Sequence, residues 1–290
     1  MSNFLSQYKR QPKIYIDLPS KGIFYDENII QDKQFTEIPV FGMNTMDEIL
    51  IKTPDALFSG ESTAQIIRSC IPIIKNPWDL VGFDIDFVLI AIRIATYGDS
   101  MPVQSTCPHC DNTTESDLIL NHLLAEYSNR STFYSIDFQE LRLDLRPLNY
   151  KMQTEFAKKQ YMLERQIVQI DKTTQTDDEK NVSKQKLMKQ MTELNAEMII
   201  THIFNISNRE NEREFDFAVI KDFVINNDAS IFNDVQEKIR QMNKDWSLPT
   251  FEVSCASESC KKQYASSINV DYASFFGDTS LRSRTLRSNR

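Results

Sequence analysis

An α+β fold is predicted, and three observations predict it. Short period-two runs broken by Pro and Gly open the chain. Helical periodicity takes over from about Tyr150, and two cysteine-bearing turns are each flanked by strand-like segments. Together they describe N-terminal strands and short helices, then a discontinuous zinc-ribbon-like module made of two cysteine hairpins. A helical insertion containing a helical hairpin interrupts that module. The expected organisation is an N-terminal α+β domain (residues 1–100), a first ribbon hairpin with a following β-hairpin (101–149), the helical insertion (150–248), a second ribbon hairpin (249–277) and a disordered basic tail (278–290).

"KIYIDLP" (13–19) alternates as a strand, and "PSKG" (19–22) is turn chemistry, with Pro fixing φ and Gly accepting a positive one. "FTEIPVFGM" is a second strand. Thr45 and Glu48 give a capping-box pattern for a short helix that Pro54 stops. "ESTAQIIRSCI" and "NPWDLVGF" read as further short helices, the second with Pro77 in its first turn. Asp84 is placed to cap the apolar helix that follows, and Gly98 to end it.

"MPVQST" and "TTESDLIL" then flank the first cysteine turn, and "FYSIDF" with "LRLDLRPL" reads as a hairpin. Phe156, Leu163, Ile167 and Ile170 fall on one side of a first long helix, and Leu187, Met191, Leu194 and Met198 on one side of a second. The polar link "DKTTQTDDEKNVS" makes the pair a helical hairpin, its stripe read as intramolecular packing. Helices around "FAVIKDFVI" and "IFNDVQEKIRQMN" follow, the latter capped by Asn227 or Asp228. A last pair of strands, 251–254 and 266–271, brackets the second cysteine turn.

Composition narrows the function. A net charge of −8 weighs against a general nucleic-acid binder, and six glycines in 290 residues weigh against a Gly-rich nucleotide scaffold. The opening "MSNFLSQYKRQPK" is too polar for a signal peptide, and the most apolar run, Ile85 to Gly98, is too short to span a bilayer and carries Asp86 and Arg93. No membrane association is expected, and the cysteines are expected to stay reduced, which favours metal binding over disulfides.

The chemistry is concentrated in "CPHC" (Cys107, Cys110) and "CASESC" (Cys255, Cys260). Four thiolates at the tips of two hairpins suit a tetrahedral Zn²⁺, closed to water and substrate, that contributes folding energy rather than catalysis. The second turn is C-x4-C, looser than the usual C-x-x-C. Four unrelated cysteines, or a redox or catalytic thiol with a histidine base, are the competing readings. His109 reads as an exposed spectator, Cys70 as a small core residue, and His122 and His202 as isolated. No G-x-S-x-G, P-loop, H-E-x-x-H or Rossmann fingerprint occurs, so enzyme chemistry is not visible. The tail "TSLRSRTLRSNR" carries four arginines and no acids, and reads as a solubilising terminus more readily than as a nucleic-acid arm.

From roughly Lys13 to Leu148, the order and spacing of "IDLPSKGIFY", "MNTMDEILIKTPDALFSGES", "IIRSCI", "PWDL", "DFVLIAIRIATYGDSM", "CPHC" and "LRLDLRPLNY" resemble the baseplate hub and hub-assembly proteins of T4-like contractile-tailed bacteriophages. The resemblance implies a structural or assembly protein of the virion, not an enzyme. Its partners would be baseplate hub and tail proteins, met in the host cytoplasm during assembly or in the finished tail baseplate. Candidate binding surfaces are Phe24, Tyr25 and Phe41 and the outer face of the helical hairpin. The alternative function is a zinc-ribbon regulator that binds nucleic acid or a polymerase. A thiol enzyme using Cys107 or Cys110 is the third reading. The sequence leaves the oligomeric state open.

Overall fold

The computed structural model describes residues 4, 9–52, 60–127, 132–174, 176–248, 250–266 and 276. The expectations for Pro54, for residues 267–271 and for the basic tail fall outside them. The chain forms two compact units, one from Met1–Arg130 with Ser247–Arg290 and the other from Ser131–Trp246.

The first unit is organised by one helix. β1 (Pro12–Ile16) pairs antiparallel with β2 (Ile38–Phe41), and α1 (Thr45–Ile51) and α2 (Glu61–Cys70) follow. α3 (Gly82–Tyr97) then runs through the core, with Ile85, Val88, Leu89, Ile90, Ala91 and Ile92 fully buried. A helix apolar on every side must be covered on every side. β1, β2, α2 and α4 (Leu120–Tyr127) supply the cover. Gly98 ends α3 at φ 94°, where a residue with a Cβ is strained, and its N–H donates to the Ile94 carbonyl at 3.0 Å.

Several expected details shift. α1 is capped one residue earlier than Thr45: Asn44 accepts from the Met46 and Asp47 N–H groups, and the Asp47 carboxylate accepts from the Asn44 N–H. Asp47 wins over Glu48 because it faces inward, where Ser69 Oγ donates to it at 2.8 Å and Arg10 lies 3.6 Å away. Asn44→Ala is expected to cost about 1–2 kcal/mol of unfolding free energy, read by denaturant titration. Asp84 is not a cap: α3 starts from Val81 as N-cap, which puts Asp84 in the first turn with its side chain in the core. The "NPWDLVGF" helix is only a 3₁₀ turn, Pro77–Asp79, before α3 begins.

Two hairpins complete the unit. β3 (Ser100–Thr106) pairs with β4 (Thr113–Ile119), and β9 (Phe251–Ser254) pairs with β10 (Gln263–Ser266). β10 begins three residues before the expected start at Ser266, because its ladder opens directly beyond the cysteine turn with Gln263 opposite Ser254. The buried Phe276 follows, its carbonyl accepting from Tyr97 Oη at 3.4 Å.

The second unit departs from a purely helical insertion. β5 (Tyr134–Phe138) and β6 (Leu141–Leu145) form the expected hairpin, but β7 (Ile203–Ser207) pairs with β6 and β8 (Arg213–Glu214) with β7, giving a four-stranded antiparallel sheet in the order β5-β6-β7-β8. The β6–β7 ladder joins strands far apart in sequence, and only tertiary pairing reveals it. α5 (Tyr150–Ile170) and α6 (Asp177–Ile200) pack as a helical hairpin, and the stripes from Phe156 to Ile170 and from Leu187 to Met198 are half-buried. Half-burial is what two mutually packed helices achieve when their outer faces stay in water. α7 (Phe217–Asn226) and α8 (Ala229–Asp245) finish the unit, and Asp228 caps α8 by accepting from the Ser230 N–H.

Candidate metal centre

Each hairpin delivers its cysteines from a backbone turn closed by its own ladder. The Cys107 N–H donates to the Asn112 carbonyl at 2.9 Å, and the Cys255 N–H donates to the Lys262 carbonyl at 3.0 Å. Both first cysteines therefore stand directly after the end of a strand. Inside the first turn, the Asp111 N–H returns to the Cys107 carbonyl at 2.9 Å; inside the second, the N–H groups of Cys260 and Lys261 return to the Ser257 carbonyl at 3.0 and 3.1 Å. Asp111 (φ 55°) and Lys261 (φ 49°), each just after the second cysteine, take left-handed conformations that fold the ladder back.

The two turns are thus the same device, and the C-x4-C spacing is explained. The closing pair is Cys107 with Asn112 in one hairpin and Cys255 with Lys262 in the other, so the second loop is longer by two residues, and the tight part of its turn starts at Ser257. Both loops still aim two sulfurs at one point.

That point is a four-sulfur cluster. The Sγ atoms of Cys107, Cys110, Cys255 and Cys260 all lie within 4.8 Å of one another, with Cys110···Cys255 at 3.5 Å and Cys107···Cys260 at 3.9 Å. A disulfide would need about 2.05 Å. Tetrahedral zinc with Zn–S of about 2.3 Å places its sulfurs about 3.8 Å apart. The cluster suits the second geometry, so these cysteines could hold a metal ion; among the described residues it is the single cluster of three or more such ligands. His109 is exposed and stands outside the cluster.

The two hairpins meet over a small core of Cys107, Val253, Cys255 and Tyr264, with Phe251 and Cys260 against it. Polar contacts fix their register: Ser105 Oγ and Tyr264 Oη share a hydrogen bond at 2.8 Å, and the Ala256 N–H donates to Thr114 Oγ1 at 3.1 Å. Tyr264→Phe leaves Ser105 Oγ buried without this partner and is expected to cost about 1–2 kcal/mol, measurable as a lower melting temperature with metal in excess.

Charge is uneven within the cluster. The Ser257 N–H, and then the neighbouring thiols, hold Cys255 below the ordinary thiol range. Cys110 feels an opposing pull from the Asn112 N–H, yet local desolvation beside the other sulfurs and hydrogen bonding with those thiols push it up to about 12. Four mutually repelling sulfurs cannot all be thiolates without a cation. Cys70, away from the cluster, is fully buried and pushed up to about 12 by burial and then by Asp47.

The remaining singled-out residues lie elsewhere. His202 is buried with Nδ1 2.9 Å from the Met198 carbonyl, and burial holds it below the usual imidazole range. His122 is exposed. The three aromatics expected as exposed anchors are not free: Tyr25 is buried with its hydroxyl on Asp84, Phe24 packs edge-on against Phe83 at 6.5 Å, and Phe41 lies under the Arg10 guanidinium at 5.9 Å. The core claims Tyr25, and Phe24 and Phe41 are half-buried against neighbouring side chains. The sequence does not point to the exposed aromatics of the second unit, Phe204 and Phe215, which meet edge to face at 5.6 Å. Their adjacency depends on the β7–β8 pairing, which no local pattern signals.

Compared with known families, the chain matches the family model described as T4 bacteriophage base plate protein over residues 43–277. No curated protein and no solved structure matches it. Among the described residues, no helix is long and apolar enough to cross a membrane.

Proposed function

Because the chain belongs to the T4 bacteriophage base plate protein family, we propose that it is a structural or assembly protein that acts by protein–protein binding while the hub of a contractile-tail baseplate is built. The family match is the observation that carries this reading. In it, the protein works in the host cytoplasm during assembly, among hub and tail proteins, with the tail baseplate as its destination. Exposed apolar side chains supply anchors of the kind such binding uses: Tyr161, Met162 and Val168 on α5, Val182 and Met188 on α6, and the Phe204–Phe215 pair.

In the same reading, Cys107, Cys110, Cys255 and Cys260 hold one structural Zn²⁺. Four thiolates leave no position for water, so the ion would cross-link the chain on either side of the 131–246 unit rather than activate a substrate. Tetrahedral sulfur also suits iron, so elemental analysis of protein purified without chelator is decisive: one zinc per chain supports the assignment, and iron or no metal overturns it.

The functional test is capture of tagged protein from phage-infected cells, with partners identified by mass spectrometry. Recovery of other baseplate or tail proteins supports the assembly reading. Recovery of polymerase subunits or nucleic acid instead would replace it with the regulator.

A further inference from the structure

We infer that the cysteine cluster is an oxidisable latch whose first covalent link joins Cys110 to Cys255, tying the two turns to each other rather than closing either turn on itself. The latch rests on the four-thiolate site assigned to zinc under the proposed function. Two close sulfur pairs run between the turns, Cys110···Cys255 at 3.5 Å and Cys107···Cys260 at 3.9 Å. Cys110 is exposed, whereas Cys107 and Cys255 are buried and Cys260 is partly covered. An oxidant therefore meets Cys110 first, and the Cys255 sulfur of the other hairpin stands 3.5 Å from it.

The chemistry balances with a hydroperoxide as oxidant. The Cys110 thiol attacks the peroxide oxygen and gives up its proton, the O–O bond breaks, and Cys110 becomes a sulfenic acid as water leaves. The Cys255 thiolate then attacks the Cys110 sulfur; the S–S bond forms and hydroxide departs. Two electrons drawn from the two sulfurs reduce one hydrogen peroxide, and one further proton completes the second water. The link removes two of the four ligands from any bound metal. The sulfurs need only close from 3.5 Å to about 2.05 Å, so the hairpins keep their register.

The consequence is a clamp of two kinds. In a reducing cytosol the turns are joined through metal; in an oxidising medium outside the cell they are joined covalently. In both states residues 145 apart in sequence stay tied. A link within a turn, Cys107 to Cys110 or Cys255 to Cys260, would instead release the two hairpins from each other.

The test uses the full chain purified under reducing conditions. Its metal content is measured first, so that failure of the metal assignment is scored separately from failure of the latch. The protein is then treated with hydrogen peroxide, digested without reduction and mapped by mass spectrometry. The expected product is a Cys110–Cys255 linked peptide, released in step with metal where metal was present, while Cys70 stays reduced. Cys110→Ala is expected to slow oxidation at Cys255 by about tenfold. A map dominated by links within a turn, or by sulfinic acids with no link, overturns the latch even if one zinc per chain was found. A Cys110–Cys255 link in protein that held no metal upholds the latch and removes only the metal.

Discussion

Cys107→Ser and Cys255→Ser should each abolish stable metal binding and unfold the paired hairpins, the largest effect of any single substitution in this chain. A serine hydroxyl is not ionised at neutral pH and is a poor ligand for a soft-preferring site. Binding free energies of structural zinc in small sites, about 10–16 kcal/mol, are also folding free energies, because the ligands do not stay together alone. Here the apolar core between the hairpins is only Cys107, Val253, Cys255 and Tyr264 with Phe251 and Cys260 beside it, and half of those residues are cysteines of the cluster itself. Such a core gives little beyond the metal, since burying one Val or Tyr-sized side chain is worth about 1.5–3 kcal/mol before ordering costs. The measurement is zinc per chain by elemental analysis, together with limited proteolysis at the two turns. Cys70→Ala is the control: it removes a buried thiol outside the cluster and should leave metal content unchanged. Full metal occupancy in Cys107→Ser would show that the cluster is not the site.

How much of this is legible in sequence depends on how local each feature is. The cysteine turns are readable because both the residue type and the flanking alternation are local, and the cluster in space gives the longer second loop its reason. α5 and α6 announce themselves by apolar spacing. β7 does not: Ile203, Phe204 and Ile206 follow Ile200 of α6 with almost no polar break, and a run of five residues cannot reveal that it pairs with β6 some sixty residues earlier. α4 is hidden in the same way, its Leu120 continuing the apolar character of β4. The α1 cap is ambiguous because Asn44/Asp47 and Thr45/Glu48 satisfy one pattern, one residue apart. Tertiary partners on Asp47 decide between them. Tyr25 misleads for the same reason, since its aromatic ring looks like a surface anchor until its hydroxyl is seen to meet the buried Asp84.

Asp84 therefore leads to the second large effect, a stability that falls as pH rises through the weakly acidic range. Its carboxylate is fully buried in the first turn of α3, and among the described residues no cation pairs with it. Burial pushes its pKa up from 3.8 to about 6, although the hydroxyl of Tyr25 donates to it at 2.5 Å and the Ser20 N–H at 3.1 Å. Folding thus favours the protonated acid. Below pH 3.8 both folded and unfolded chains hold the proton, and this residue carries no penalty. Between 3.8 and about 6 the unfolded chain has lost the proton while the folded one keeps it, so stability drains away; above about 6 the loss levels off. A shift of this size corresponds to about 3 kcal/mol. Other carboxylates and the cysteine cluster add their own pH dependence, so the informative quantity is the difference between the natural chain and Asp84→Asn. Asn is neutral throughout, and that difference should change by about 2.4 kcal/mol in favour of the variant between pH 4 and pH 7, the rest of the shift falling below pH 4. Urea titrations at four pH values within that range measure it. A difference that stays flat would mean that Asp84 titrates in the fold as it does in the unfolded chain, and that the two donors, Tyr25 and Ser20, offset its burial.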